Sequence, residues 1–407
     1  MNRLARRLGL GDAVIVGLGS MLGAGVFVVY APATAAAGGG GVLIALLIAG
    51  FVALCNATSS ARLAARYPES GGTYVYGRER LNGFAGFLAG WAFIAGKTAS
   101  CAAMALTVGA YLWPGQARPV AVLAVVAVTA VNLAGIHRTA RATRVLVAVT
   151  LVVLVVVAGV GLSRVAPVTD FGVANPHGVL GAAGLMFFAF AGYARIATLG
   201  EEVRSPERII PRAIPLALAI VFVVYVALGA VALAVLGPAR LARSAAPLAD
   251  VVAGTGLEPV VRAGAGIAVL SVLLALVAGV GRTGLAMARR GDLPRWLSAV
   301  EPRHQVPRRA EVTVAAAVLA LASLGDVRTA IGFSSCTVLV YYAIANLSAL
   351  TLGREPGRRL PVQALAGAGL VGCLVLAGSL PWRDVAAGAA VLVVGAAVWL
   401  PLRQRRA

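Results

Sequence analysis

Long apolar stretches divide this sequence, with only short polar segments between them, and that pattern restricts the chain to a helical fold in a lipid bilayer. A helix needs about 20 mostly apolar residues to cross a bilayer, whereas a membrane β-strand needs only about 9–11 alternating ones. Of 407 residues, 60% are apolar and 12% charged, far from the balance of a soluble domain. We predict an all-α membrane protein with twelve transmembrane helices, named spans 1 to 12, at residues 11–36, 41–62, 83–112, 119–136, 143–163, 178–199, 211–237, 260–287, 310–324, 327–351, 361–379 and 384–402.

The basic residues lie mostly on one side of the predicted membrane. The chain has 35 Lys and Arg residues and a formal net charge of +20. With the N-terminus placed inside, 25 of the 35 fall in inner segments, which is the positive-inside bias. The charge therefore predicts a multi-pass protein of the plasma membrane with both termini in the cytoplasm. It does not indicate nucleic acid binding, since it forms no basic face.

The sequence has no motif for metal binding or enzymatic catalysis. HExxH and GxSxG are absent, and the three histidines fall in predicted loops. The cysteines form no CxxC pair and are expected to be buried small apolar residues. They are Cys55, Cys101, Cys336 and Cys373. We predict no metal, no cofactor and no enzyme activity.

Glycines interrupt spans 1 and 6, which lie five spans apart. Span 1 has four glycines between positions 17 and 25, and span 6 has three between 181 and 192. Glycine weakens a helix by about 1 kcal/mol relative to alanine. Unwound backbone is tolerated at membrane depth only around a cavity or within protein. Broken spans at matching positions predict a transporter built from inverted repeats, with its site at the breaks. The same glycines also suit close helix packing, and spacing alone leaves both interpretations open.

A series of motifs resembles those of the amino acid–polyamine–organocation (APC) permease superfamily. They are GSMLGAGVF at 19–27, YPESGGTYVY at 67–76, FFAFAGY at 187–193 followed by Glu201, Glu202, Pro206 and Pro211, Arg282 with MARRGDLP at 287–294, and Pro307. The resemblance implies one transmembrane domain, 1–407, with the LeuT-type fold. Residues 11–163 and 178–351 would be two inverted five-helix repeats, and residues 361–402 two extra helices.

The breaks would bind an amino acid through the main chain. Unwinding of span 1 frees N–H groups of Ala24 and Gly25 at a helix start, which favours a carboxylate. Freed carbonyls of Met21, Phe188 and Ala191 would accept from the substrate's ammonium group, and the resemblance implies the same positions. The predicted substrate-binding residues are Met21, Gly23, Ala24, Gly25, Cys101, Phe188, Ala189 and Ala191.

The side chains expected around the substrate are small or apolar. Besides Cys101, the candidates are Ser20, Thr98, Phe190, Ser334 and Ser335, and each also fits ordinary helix packing. Several relatives have Asp where this chain has Ala194, which favours a neutral amino acid over a cation. The alternatives are an amino acid or polyamine exchanger and a non-transporting membrane sensor of the same fold.

Lys97 is the single lysine beside 34 arginines, and it falls near the middle of span 3. A lysine there costs about 2.5–3.5 kcal/mol on insertion scales. A buried amine can lose its proton, whereas a guanidinium cannot, so Lys97 is a candidate for proton coupling. The alternatives are a structural lysine bonded to freed carbonyls and one that reaches a membrane surface. The lysine of proton-coupled relatives lies on helix 5, and span 5 has none. Sodium is the alternative coupling ion.

Charged residues follow span 6 on the inner side. Glu201 and Glu202 are candidates for a cytoplasmic gate with Arg78 or Arg80 of the loop between spans 2 and 3. The alternative is a solvated loop of mixed charge, in which each ion pair contributes little.

Overall fold

The computed structural model describes residues 8–68, 71–135, 140–165, 176–199, 202–301, 304, 306–352 and 360–404. Across these residues the fold is helical, and its β pairing is one isolated bridge between Leu8 and Val203. The spans have the following bounds: Leu10–Met21, Ala24–Val28 and Tyr30–Ala37 (span 1), Gly41–Arg66 (2), Gly83–Leu112 (3), Ala117–Leu133 (4), Ala140–Leu162 (5), Pro176–Phe190 and Ala194–Ala197 (6), Pro206–Arg243 (7), Glu258–Arg289 (8), Arg308–Leu324 (9), Val327–Thr351 (10), Leu360–Ser379 (11) and Trp382–Gln404 (12).

Within the described part of the chain, eleven helices are long and apolar enough to cross a membrane. Of the twelve predicted spans, the ninth is the one outside these eleven. Its helix has 17 residues, a length at the lower end of the range for spanning helices. Spans 9 and 10 are separate helices because Asp326 caps the second one. Its Oδ1 accepts from the N–H groups of Arg328 and Thr329, at 2.8 and 3.0 Å, as an N-cap carboxylate does.

Burial divides the spans into a centre and a periphery. Most residues of spans 3, 6 and 10 are buried, whereas most residues of spans 4, 5, 11 and 12 are not. Large apolar side chains such as Val155, Leu374 and Val393 lie exposed on the outer spans. An exposed apolar belt of this extent suits lipid rather than water.

Small residues let the central spans approach one another closely. A methyl group at Gly96 of span 3 would collide with Thr337 of span 10. Nearby, the hydroxyls of Ser100 and Ser334 are 2.6 Å apart and bridge the same two spans. Small side chains and polar bridges are the means by which membrane helices associate, since lipid is as apolar as leucine. Span 3 is thereby held against span 10.

Candidate functional site

Span 1 is interrupted after its first half. The first helix ends at Met21, Leu22 has φ −78° and ψ 41°, and Gly23 has φ −100° and ψ −140°. A new helix begins at Ala24 and continues through Val29, which keeps helical angles. The first N–H groups of any helix have no partner within it. Those of Ala24 and Gly25 also have no acceptor elsewhere among the described residues.

Span 6 is tightened rather than unwound. The α-helix ends at Phe190, a 3₁₀ turn covers Ala191–Tyr193, and a short helix follows at Ala194–Ala197. A stretch of 3₁₀ helix within a span often marks a functional hinge. Within this turn the Ala191 carbonyl accepts from the Tyr342 hydroxyl, at 3.1 Å. The sequence predicted an unwound segment in span 6, and the structure has a 3₁₀ turn there instead.

The two interruptions cross in direct backbone contact. A methyl group on Gly25 would lie 2.5 Å from Cα of Ala189. A methyl group on Gly192 would collide with the Ser20 carbonyl, and one on Gly23 would lie 2.8 Å from Val272. Gly25 is therefore required by the approach of span 6, and not only by that of a substrate. Glycines at this crossing therefore have two structural effects. Gly23 and Gly192 lie within the interruptions of spans 1 and 6, and Gly25 permits the two spans to pack closely.

The crossing brings most of the predicted site residues together. Met21, Ala24 and Ala189 expose no more than 3% of their surfaces. Gly23, Gly25, Phe188 and Ala191 are buried with them. The carbonyls of Met21 and Ala189 lie 2.6 and 3.1 Å from the hydroxyl of Tyr225 in span 7. Tyr225 and Tyr342 are missing from the sequence prediction, because no motif distinguishes them from other tyrosines of the spans.

Lys97 reaches the crossing from span 3. It is buried, and its Nζ lies 3.5 Å from the Ala191 carbonyl. In the part of the chain that the structure describes, no carboxylate forms an ion pair with it. Cys101 lies one helical turn further on and is buried on the same side. The arrangement places one amine at the interruption of span 6.

The other candidate side chains take ordinary packing roles. Ser20 donates to the Val16 carbonyl of its own helix, at 2.8 Å, and Thr98 does the same with Ile94, at 2.7 Å. Ser334 bonds to Ser100. The Phe190 ring packs 5.1 Å from that of Tyr225. Ser335 is buried, and its hydroxyl has no partner among the described residues.

Polar contacts join the two loops that the sequence predicts to lie on the inner side of the membrane, between spans 2 and 3 and between spans 8 and 9. Asp292 accepts from Nη1 of Arg78 and from the hydroxyl of Tyr74, at 2.8 and 2.7 Å. Burial raises the pKa of the Tyr74 hydroxyl above its ordinary value, and the bond to Asp292 raises it further. The hydroxyl therefore stays protonated at neutral pH. The acidic partner that the structure gives to Arg78 is thus Asp292, a residue that the sequence analysis did not assign to the gate.

A backbone ladder ties the inner ends of spans 1 and 6 together. The Leu8 N–H donates to the Glu202 carbonyl at 3.0 Å, and the Arg204 N–H donates to the Leu8 carbonyl at 3.1 Å. Glu202 joins this ladder through its main-chain carbonyl. Glu201, the other predicted gate residue, lies outside the described residues.

The outer side is closed as well. The Tyr111 hydroxyl of span 3 donates to the Phe27 carbonyl of span 1, at 2.8 Å. The Leu248 N–H donates to the same hydroxyl at 3.3 Å. Arg262 of span 8 reaches the Tyr111 carbonyl at 3.3 Å. The crossing of spans 1 and 6 is therefore enclosed from both faces of the membrane.

A helical membrane protein whose two interrupted spans cross at an enclosed centre has the construction of transporters with discontinuous helices. Residues 8–401 match the profile described as amino acid permease. The chain belongs to this family, within the APC superfamily. The assignment made from the motifs is confirmed, and with it the all-helical, multi-pass membrane fold.

Named relatives agree with this assignment. An uncharacterized transporter of Mycobacterium tuberculosis (strain ATCC 25618 / H37Rv) is 62% identical over 405 residues, which are 98% of this chain and 91% of the relative. The branched-chain amino acid permease BcaP of Bacillus subtilis (strain 168) is 26% identical over 97% of this chain and 92% of its own length. A chloroplastic cationic amino acid transporter of Arabidopsis thaliana is 26% identical over 85% of this chain and 65% of its own length.

Proposed function

We propose that the chain is a secondary active transporter of a neutral amino acid, coupled to protons, that binds its substrate where spans 1 and 6 cross. The proposal rests on one observation: unpaired N–H groups and main-chain carbonyls flank the same interruption. Ala24 and Gly25 offer N–H groups at a helix start, which favours a carboxylate. The carbonyls of Met21, Phe188 and Ala191 would accept from the ammonium group of the substrate. Backbone recognition of this kind selects the α-amino acid group itself.

The side chains of the site favour a neutral substrate. The relatives with the two kinds of substrate in their names have similar identities to this chain, 26% for the branched-chain permease and 26% or 28% for the cationic transporters, so identity does not choose between the substrates. No described acidic side chain lies at either interruption, and Ala194 occupies the place of a potential carboxylate. The basic group that reaches this crossing is Lys97, and it repels a cationic side chain whenever it carries its proton.

Lys97 is the proposed proton carrier. When protonated, it donates to the Ala191 carbonyl and holds the 3₁₀ turn of span 6. When the proton leaves, that charge-assisted bond is lost, and span 6 is freed to move. One charge that crosses 100 mV supplies about 2.3 kcal/mol, enough for roughly fiftyfold accumulation. Proton coupling through this residue would therefore support uptake against a gradient.

Alternating access would open the two closures in turn. The inner one consists of the Arg78–Asp292 pair and the ladder at Leu8, and the outer one of the bond between Tyr111 and Phe27. We place both termini in the cytoplasm of a plasma-membrane protein. We also assign residues 11–163 and 178–351 to two inverted repeats, because spans 1 and 6 are interrupted at corresponding places.

The test is uptake of radiolabelled neutral and cationic amino acids into proteoliposomes, with an imposed pH gradient and with or without sodium. Lys97→Met should abolish gradient-driven accumulation and retain exchange of substrate across the membrane. The matched control is Thr107→Val, further along span 3, whose hydroxyl donates to the Ala103 carbonyl of its own helix. Accumulation by Lys97→Met equal to that of the control would refute the proton role. Absence of any amino acid uptake by the unaltered protein would refute the function.

A further inference from the structure

The carbonyls that span 1 and span 6 expose at their crossing are already occupied, and a tyrosine of span 7 occupies them. The Tyr225 hydroxyl lies 2.6 Å from the Met21 carbonyl and 3.1 Å from the Ala189 carbonyl. The side chain is 1% exposed, so water does not compete for these bonds. In the lipid-depth interior a carbonyl without a donor is costly. Tyr225 therefore supplies a hydrogen-bond donor to this pair of carbonyls.

The match between the hydroxyl and the two carbonyls is incomplete. A tyrosine hydroxyl has one proton and can donate to one acceptor, whereas an ammonium group has three donors. When the Tyr225 hydroxyl donates its proton to the Met21 carbonyl, the Ala189 carbonyl faces the hydroxyl oxygen and receives no hydrogen bond from Tyr225. A charged donor also makes roughly twice as strong a bond as a neutral one. The same pair of carbonyls thus suits an ammonium group better than the group that now holds it.

We propose that Tyr225 is a latch: its hydroxyl holds the interruptions of spans 1 and 6 together, and the ammonium group of the substrate displaces it. This inference rests on the function proposed above and adds a positioning residue in span 7. Displacement releases spans 1 and 6 from span 7 once substrate is present. Substrate binding is thereby linked to the movement that transport requires.

The surroundings of Tyr225 give the latch a defined position. Its ring packs 5.1 Å from the Phe190 ring, directly before the 3₁₀ turn of span 6. Its backbone carbonyl accepts from the Tyr30 hydroxyl of span 1, at 3.0 Å. Tyr30 thus lies in the same interface of spans 1 and 7 and contacts neither of the two exposed carbonyls through a hydrogen bond. It provides a control for loss of a buried hydroxyl at this interface.

The first experiment measures equilibrium binding and uptake kinetics of a transported neutral amino acid. Tyr225→Phe removes the competing hydroxyl, and the dissociation constant should fall roughly two- to tenfold, the range that one net hydrogen bond represents. Tyr30→Phe removes a buried hydroxyl of the same interface but leaves the Tyr225 hydroxyl in place, and it should not lower the dissociation constant. A dissociation constant that is unchanged or raised in Tyr225→Phe, with normal transport by the unaltered protein, would overturn the latch and leave the proposed function intact. An unaltered protein that binds no amino acid would overturn both.

A second measurement does not depend on the stability of that variant. 3-Fluorotyrosine placed at position 225 reports on its hydroxyl through the ¹⁹F resonance. Saturating amino acid should shift the resonance, whereas the carboxylic acid with the same side chain but no ammonium group should not. A resonance that stays in place with a saturating, transported amino acid contradicts displacement. A shift of equal size with both compounds would also contradict it, because the ammonium group would then have no part in the change.

Discussion

Gly25→Ala tests the crossing of spans 1 and 6 with the smallest available change. The added methyl carbon would lie 2.5 Å from Cα and 2.6 Å from Cβ of Ala189. Carbon atoms pack at about 3.5–4.0 Å, so the two backbones must separate by about 1 Å. No side-chain rotation relieves the contact, because Cα of Ala189 is main chain. Overpacking of this kind costs about 1–3 kcal/mol.

The strain falls where the substrate binds, so we expect the half-saturation concentration of uptake to rise roughly 5- to 150-fold. The assay is initial-rate uptake into proteoliposomes, with thermal unfolding of the purified protein to show that it is folded. Gly11→Ala is the matched control in the same span, because no atom lies within 4 Å of its added methyl group. If the two variants had the same half-saturation concentration for uptake, the close contact of spans 1 and 6 at Gly25 would not be needed for substrate binding, and the reasoning would be refuted.

Two further predictions concern the inner side. Asp292→Asn removes the carboxylate that accepts from Tyr74 and Arg78. The free energy of unfolding, measured by thermal unfolding in detergent, should fall by about 1–3 kcal/mol. An unchanged free energy of unfolding would show that these contacts contribute little to stability. Arg144→Gln breaks the ion pair with Asp12, but the arginine side chain is 55% exposed. Its loss should cost no more than about 1 kcal/mol and should be smaller still in high salt.

The sequence predicted which segments of spans 1 and 6 meet, but not which side chains contact them. The glycine pattern and the motifs placed the site at Met21–Gly25 and Phe188–Ala191, and the structure brings these segments together. Hydropathy could not indicate that the Ala191 carbonyl would meet Tyr342, 151 residues away, or that the Met21 carbonyl would meet Tyr225, 204 residues away. Those pairs depend on how the spans cross, and a tyrosine in an apolar span looks the same whether or not it caps a carbonyl.

The inner closure illustrates the same limit. Arg78 was paired in the sequence analysis with the acidic residues after span 6, because they lie on the same side of the membrane. In the structure it pairs with Asp292, 214 residues along the chain, and Glu202 contributes its backbone instead. Membrane topology assigns residues to a side, but it does not rank the many charges that share that side.

The apolar runs alone determined that this chain crosses a membrane many times, and the capping residue Asp326 alone determined where span 9 gives way to span 10. Both are local properties, because lipid requires each helix to satisfy its own backbone. The tertiary structure decided the partners of the exposed carbonyls and the second role of the glycines. Within lipid, the hydrophobic effect does not drive helices together, so the close packing of small residues decides which spans contact one another. That packing depends on pairs of spans and cannot be predicted from the sequence of one span.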